Sequence, residues 1–119
     1  MNRQQCPMSL KAIPKDYNHK LSAMVYDGHD VYCYHFHPDV EIDVLIEAGI
    51  TFLDLLDILS GETTCPITGQ DVMENPRLWL QINNGAIQMN IHFSYDGAIQ
   101  FAAETGLLSY KEVRRALAV

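Results

Sequence analysis

Basic residues are missing from the middle of this 119-residue chain: between positions 21 and 76 there is neither Lys nor Arg. That stretch holds Asp27, Asp30, Asp39, Glu41, Asp43, Glu47, Asp54, Asp57, Glu62, Asp71 and Glu74, a local charge of −11 within a total of −7. Direct binding of nucleic acid needs a basic footprint, so it is disfavoured. Cysteine is also sparse. Three residues, odd in number and far apart, do not make a disulfide framework, and reduced thiols in a cytoplasmic setting are expected. Long apolar runs are lacking too: the best, over 50–59, is broken by Asp54 and Asp57 and falls short of the roughly 18 residues a membrane helix needs. No apolar run follows the first residues, so no secretory leader is expected. Gly and Pro are scattered, which leaves disorder expected only at the first few positions.

What the chain does have is apolar surface. It is 48% hydrophobic, with six Tyr, four Phe and one Trp, enough to build one core in a single domain over 1–119. Shifting the chain by 57 positions lays Gly28 on Gly85, His35 on His92, Phe36 on Phe93 and Asp39 on Asp96. The same shift lays Ile42 on Ile99, Glu47 on Glu104 and Gly49 on Gly106, and Cys6-Pro7-Met8-Ser9 resembles Cys65-Pro66-Ile67-Thr68 at a slightly different offset. The expectation is an α+β fold: a tandem duplication of a β-hairpin plus two-helix unit, over about 6–61 and 65–119, with pseudo-two-fold symmetry.

Leu78, Leu80 and Ile82 alternate with polar positions, as do Ile87, Met89, Ile91 and Phe93, which is the period of a half-buried strand. Asn84-Gly85 between them is a strong hairpin signal. A two-residue loop there pairs Ile82 with Ile87, Leu80 with Met89 and Leu78 with Ile91. The first copy repeats this around Asp27-Gly28, with Leu21, Ala23, Val25, Tyr32, Tyr34 and Phe36 on one face and Ser22, Cys33, His35 and His37 on the other. This register sets Lys20 near His35 and Arg77 near His92.

Each hairpin leads into helices. Pro38, Asp39, Glu41 and Asp43 suit a first turn, and Gly49 suits the left-handed residue that ends a helix. A second helix, capped by Thr51 and closed by Gly61, is expected next. In the second copy Asp96 is the expected cap, 98–104 the helix body and Gly106 the stop. A third strand over 99–103 competes with that reading, but Ala98, Ala102 and Ala103 favour the helix. Ser109 and Glu112 have the spacing of a capping box.

Three constellations bear on chemistry. Cys33, His35 and His37 alternate along a strand and so share a face, where they are candidate zinc ligands. Cys6, Cys65, His35 and His92 recur in both copies and would form a second candidate set. Their ordinary role is structural hydrogen bonding, so no cofactor is expected. Cys33 beside His35 also has the elements of a nucleophile and base, but nothing specifies an oxyanion hole and no catalytic residue is assigned.

The run Cys65-Pro66-Ile67-Thr68-Gly69-Gln70-Asp71-Val72-Met73-Glu74-Asn75-Pro76 resembles the opening of U-box ubiquitin-ligase domains. His92-Phe93-Ser94-Tyr95-Asp96 loosely resembles their later part. The resemblance implies that Ile67 would touch a ubiquitin-conjugating enzyme without any metal. It covers residues 65–105 at most; Met73 and Pro76 sit one place late, and the second Cys-Pro loop is missing.

The leading expectation is a small acidic binding protein of inhibitor, immunity or chaperone type. Asp39, Glu41, Asp43, Glu47, Asp54 and Asp57 would meet a basic surface of a partner protein, with steering and rim contacts as their role. A U-box-like ligase and a zinc-binding module are the alternatives.

Overall fold

The computed structural model describes residues 5–14, 20–49, 65–72, 76–84 and 87–118. Strands form where apolar residues alternate: β1 (Leu21–Tyr26), β2 (Val31–His35), β3 (Leu78–Asn84) and β4 (Ile87–His92). They make one antiparallel sheet in the order β2-β1-β3-β4. Among the described residues three helices accompany it: α1 (Glu41–Glu47), α2 (Tyr95–Glu104) and α3 (Lys111–Leu117), with 3-10 turns at Pro38–Val40 and Leu107–Ser109. The architecture is α+β. No helix among the described residues is long and apolar enough to cross a membrane.

The alternation decides which face is packed. Leu21, Ala23 and Val25 of β1 and Leu78 and Leu80 of β3 are buried in one core with Val44 of α1, Phe101 of α2 and Val113 of α3. Phe101 lies at the centre, stacked on Phe93 at 4.9 Å and edge-on to Phe36 at 6.4 Å. Aromatic pairs of this geometry add about 0.5–1.5 kcal/mol beyond the area they bury. Tyr34 packs on Tyr110 at 4.7 Å, and its hydroxyl donates to Glu112 at 3.2 Å, tying β2 to α3.

Both hairpins sit two residues away from the expected register. Ile82 faces Met89 and Leu80 faces Ile91, while Asn84 faces Ile87 across the connection. In the first hairpin His35 faces Ser22 and Cys33 faces Met24, not the partners a two-residue loop would give. The strands are joined there by Asp27–Asp30, whose loop closes through the Asp27 carboxylate accepting the backbone N–H groups of His29 and Asp30, both at 2.9 Å. Lys20 therefore does not face His35, and His92 faces Trp79. The Arg77 guanidinium lies 5.3 Å over the Tyr26 ring instead. A slip of two keeps every side chain on its face, so the alternation was met while the pairs were wrong.

Helix starts needed two further corrections. α2 begins at Tyr95, earlier than expected, because Ser94 rather than Asp96 is the cap: its hydroxyl accepts from the Gly97 N–H at 3.2 Å. The competing third strand over 99–103 does not form. α3 starts one residue later than the capping box required, with Tyr110 at its N-cap, and the Ser109 hydroxyl donates to the Gly106 carbonyl at 2.7 Å. Gly49 does end α1 in the left-handed region, at φ 72°. The expected helix from Thr51 to Gly61 lies outside the described residues.

The two Cys-Pro loops have the same hydrogen-bond pattern. Cys6 N–H donates to Lys11 O and Leu10 N–H to Cys6 O, each at 2.8 Å; Cys65 N–H donates to Gln70 O at 2.8 Å and Gly69 N–H to Cys65 O at 2.9 Å. The loops dock crosswise. A Cβ on Gly49 would stand 2.8 Å from the Pro66 carbonyl oxygen, and one on Gly106 2.5 Å from that of Pro7. Only glycine allows both the positive φ and this close backbone approach.

Candidate functional site

The acidic candidates fall on the 3-10 turn and on α1, and they are not equivalent. Asp39 is exposed but held: Lys11 Nζ lies 2.9 Å from its carboxylate, and that hydrogen bond, followed by the Lys11 charge, lowers its pKa from the ordinary value. Glu41 is half-buried, its Oε1 is enclosed with no hydrogen-bond partner, and burial raises its pKa. Asp43 is exposed and Glu47 half-buried one turn apart. Asp54 and Asp57 lie outside the described residues.

Beside the Asp43–Glu47 ridge runs a second one that sequence reasoning missed. Ile42 is 75% exposed and Ile46 63% exposed, four residues apart and therefore on one side of the helix. Val44 and Ala48 point the other way and are fully buried. The spacing of Ile42 and Ile46 among Glu41, Asp43 and Glu47 was the available signal. It reads equally as a second core contact until Val44 and Ala48 are seen to fill that role.

The Cys33, His35 and His37 set divides. Cys33 and His35 remain together on the outer face of β2, with Cys33 Sγ 3.8 Å from both ring nitrogens of His35. Ser22, only 1% exposed, places its hydroxyl 2.8 Å from His35 Nδ1 across the strand pair. His37 belongs to the following turn: its Nδ1 accepts from the Asp39 N–H at 3.1 Å and lies 3.6 Å from the Asp39 carboxylate. The recurrent set does not assemble either, since Cys6 and Cys65 are buried in the core while His35 and His92 lie on the outer sheet face. Among the described residues, no three His, Cys, Asp or Glu side chains converge as a metal site.

Cys65 sits beneath the start of α2, where a Cβ on Gly97 would come within 2.5 Å of its sulfur. Burial pushes its thiol up, but hydrogen bonds from Thr68 and Ser94 outweigh this and leave it below the ordinary value. Burial pushes His92 down, favouring neutral imidazole. Ile67 is half-buried and packed against the core.

No protein-family model, curated protein or solved structure matches the chain significantly.

Proposed function

We propose that this protein is an acidic protein-binding module that occludes a basic, partly apolar surface of a partner by stoichiometric binding. The observation that carries this reading is the pair of ridges on α1. Two large apolar side chains stand in solvent one turn apart, alongside Asp43 and Glu47. Exposed apolar anchors beside charge of one sign fit a docking surface, with Ile42 and Ile46 desolvated on contact and the carboxylates guiding approach. The α1 helix carries no basic residue in its last turn to offset them.

We further propose that the chain is a tandem duplication of one ββαα unit with pseudo-two-fold symmetry. The registers support it: Ala23 faces Leu80, the residue 57 positions on, and the pair Ser22–His35 becomes Trp79–His92 under the same shift. The crosswise Gly49–Pro66 and Gly106–Pro7 contacts support it as well. Duplication would give α1 an α2-like origin, and the acidic surface would then be a specialisation of one half.

The test is capture of a partner from the native host on immobilised protein, followed by association kinetics with the purified partner. Charge reversal at Asp39, Glu41, Asp43 and Glu47 should slow association on the order of 10-fold or more at low salt. Ile42→Ala with Ile46→Ala should speed dissociation. Unchanged kinetics in both variants overturn the reading.

A further inference from the structure

β4 ends the sheet, and the ladder shows which of its peptide groups face outward. Asn83 N–H donates to Lys20 O at 2.8 Å and Tyr26 N–H to Arg77 O at 2.9 Å, so the odd-numbered residues of β3 turn their peptide groups to β1. Direction alternates along a strand, which leaves Leu80 and Ile82 to bond Ile91 and Met89 of β4. The N–H and C=O groups of Gln88, Asn90 and His92 therefore point away from β3, and among the described residues no strand lies beyond them. Edge strands are ordinarily blunted by Lys, Pro or a bulge. β4 has none of these: it reads Ile-Gln-Met-Asn-Ile-His, and its pairing with β3 runs unbroken from Trp79–His92 to Asn84–Ile87. We propose that this edge pairs with β4 of a second copy of the chain, antiparallel about a two-fold axis at Asn90, to make one sheet continuous through both molecules.

The edge is complementary to itself. With the axis at Asn90, that residue faces its own equivalent and Gln88 faces His92 of the second copy. These are the residues whose peptide groups point outward, so each N–H meets a carbonyl across the seam. On the core side Met89, half-buried, comes opposite the buried Ile91 of the second copy. On the outer side amides and imidazoles oppose one another, and burial already favours neutral His92, so no like charges are set face to face. Charge also suits a second copy at this edge. The acidic stretch enters the sheet through β1 and β2, whereas beyond residue 76 four basic side chains offset three acidic ones. With strands about 4.8 Å apart, β1 of one copy lies about 24 Å from β1 of the other, roughly three times the Debye length of about 8 Å at physiological salt. Repulsion between the acidic turns of two chains is largely screened at that separation. An isologous contact of this kind closes at two copies. It uses none of the side chains of α1, so it stands apart from the binding surface described above.

The experiment is sedimentation velocity of the full chain over a dilution series, with amide hydrogen exchange read by NMR at both ends of it. Dimer is expected at about 100 μM, dissociating on dilution toward about 1 μM. The Gln88, Asn90 and His92 amides should be protected only in the concentrated sample, and those of Met89 and Ile91 in both. Asn90→Lys sets two cations face to face on an exposed position and should weaken the dimer about 100-fold, as should Asn90→Asp with two anions. An equimolar mixture of the two variants should restore dimer. Asn90→Pro removes an outward N–H that the edge of a monomer does not need, so it should give a monomer with the far-UV circular dichroism of the wild type. A single monomeric species at every concentration overturns the proposal. So does a dimer that survives both Asn90→Lys and Asn90→Pro, or a mixture of the Lys and Asp variants that stays monomeric. Outward amides protected equally at all dilutions would mean that the chain covers its own edge, which also overturns it.

Discussion

A methyl group added to Gly97 would have to share space with the sulfur of Cys65, which stands 2.5 Å from where it would go. Both positions are buried, and the backbone there is already committed to the Ser94 cap. Gly97→Ala should therefore destabilise the protein by about 1–3 kcal/mol through overpacking. Combined with Cys65→Ala, the same change should cost much less, because the smaller neighbour yields the space. Urea unfolding of the four proteins in this cycle measures the coupling; additive losses would mean that the strain lies in the helix backbone and not in the contact. At this scale the sequence was a partial guide. Gly49 and Gly106 were legible as helix stops from their place after apolar runs. Gly97 was not, because its neighbour lies 32 positions away in sequence and only the docked loop brings it near.

Among the elements, α1 departs most from ordinary surface chemistry. It presents Ile42 and Ile46 to solvent while enclosing part of the Glu41 carboxylate. Burial raises the Glu41 pKa, so above the unfolded value of 4.5 the folded protein retains a proton the unfolded chain has given up, and ionisation weighs against folding as pH rises. Glu41→Gln should raise stability at neutral pH by about 0.5–1 kcal/mol and change little once the wild-type carboxyl is protonated. Thermal melts at the two pH values check this. The strands show what a hydrophobic pattern can and cannot specify. Alternation in Leu78, Leu80 and Ile82 assigned the buried face correctly, yet it is blind to a slip of two, and the four-residue loop built on the Asp27 carboxylate moved the first hairpin by that amount. The same slip brought Met24 opposite Cys33 and Ser22 opposite His35, so the shared face was legible from the alternation but the Ser22–His35 hydrogen bond was not.

Across the whole molecule, titrating groups act in opposite directions. His92 is pushed below 6.5 by burial; its folded pKa lies under the unfolded one, so stability it contributes above that value is lost as pH falls through it. Asp27 is lowered by the N–H groups of Asp30 and His29, and Asp39 by Lys11, and their contributions are lost at still lower pH, below the unfolded value of 3.8. Glu41 works against these losses in between. Stability should thus begin to fall as pH drops past about 6.5. His92→Gln should flatten that first decline in urea midpoints while leaving the acid limb set by the aspartates; an unaltered profile would remove His92 as its source.

The strand order carries a kinetic consequence. β2 and β4 each close on a neighbour only a few residues away, whereas the middle ladder, β1 against β3, joins positions such as Ala23 and Leu80 that are far apart along the chain. Local ribbons form within microseconds, but the central seam must wait for a long loop to close. Refolding speed should accordingly be governed by the seam: in stopped-flow traces Leu80→Ala is expected to slow the forward reaction more than a truncation in either outer ribbon, and equal slowing would remove the seam as the cause.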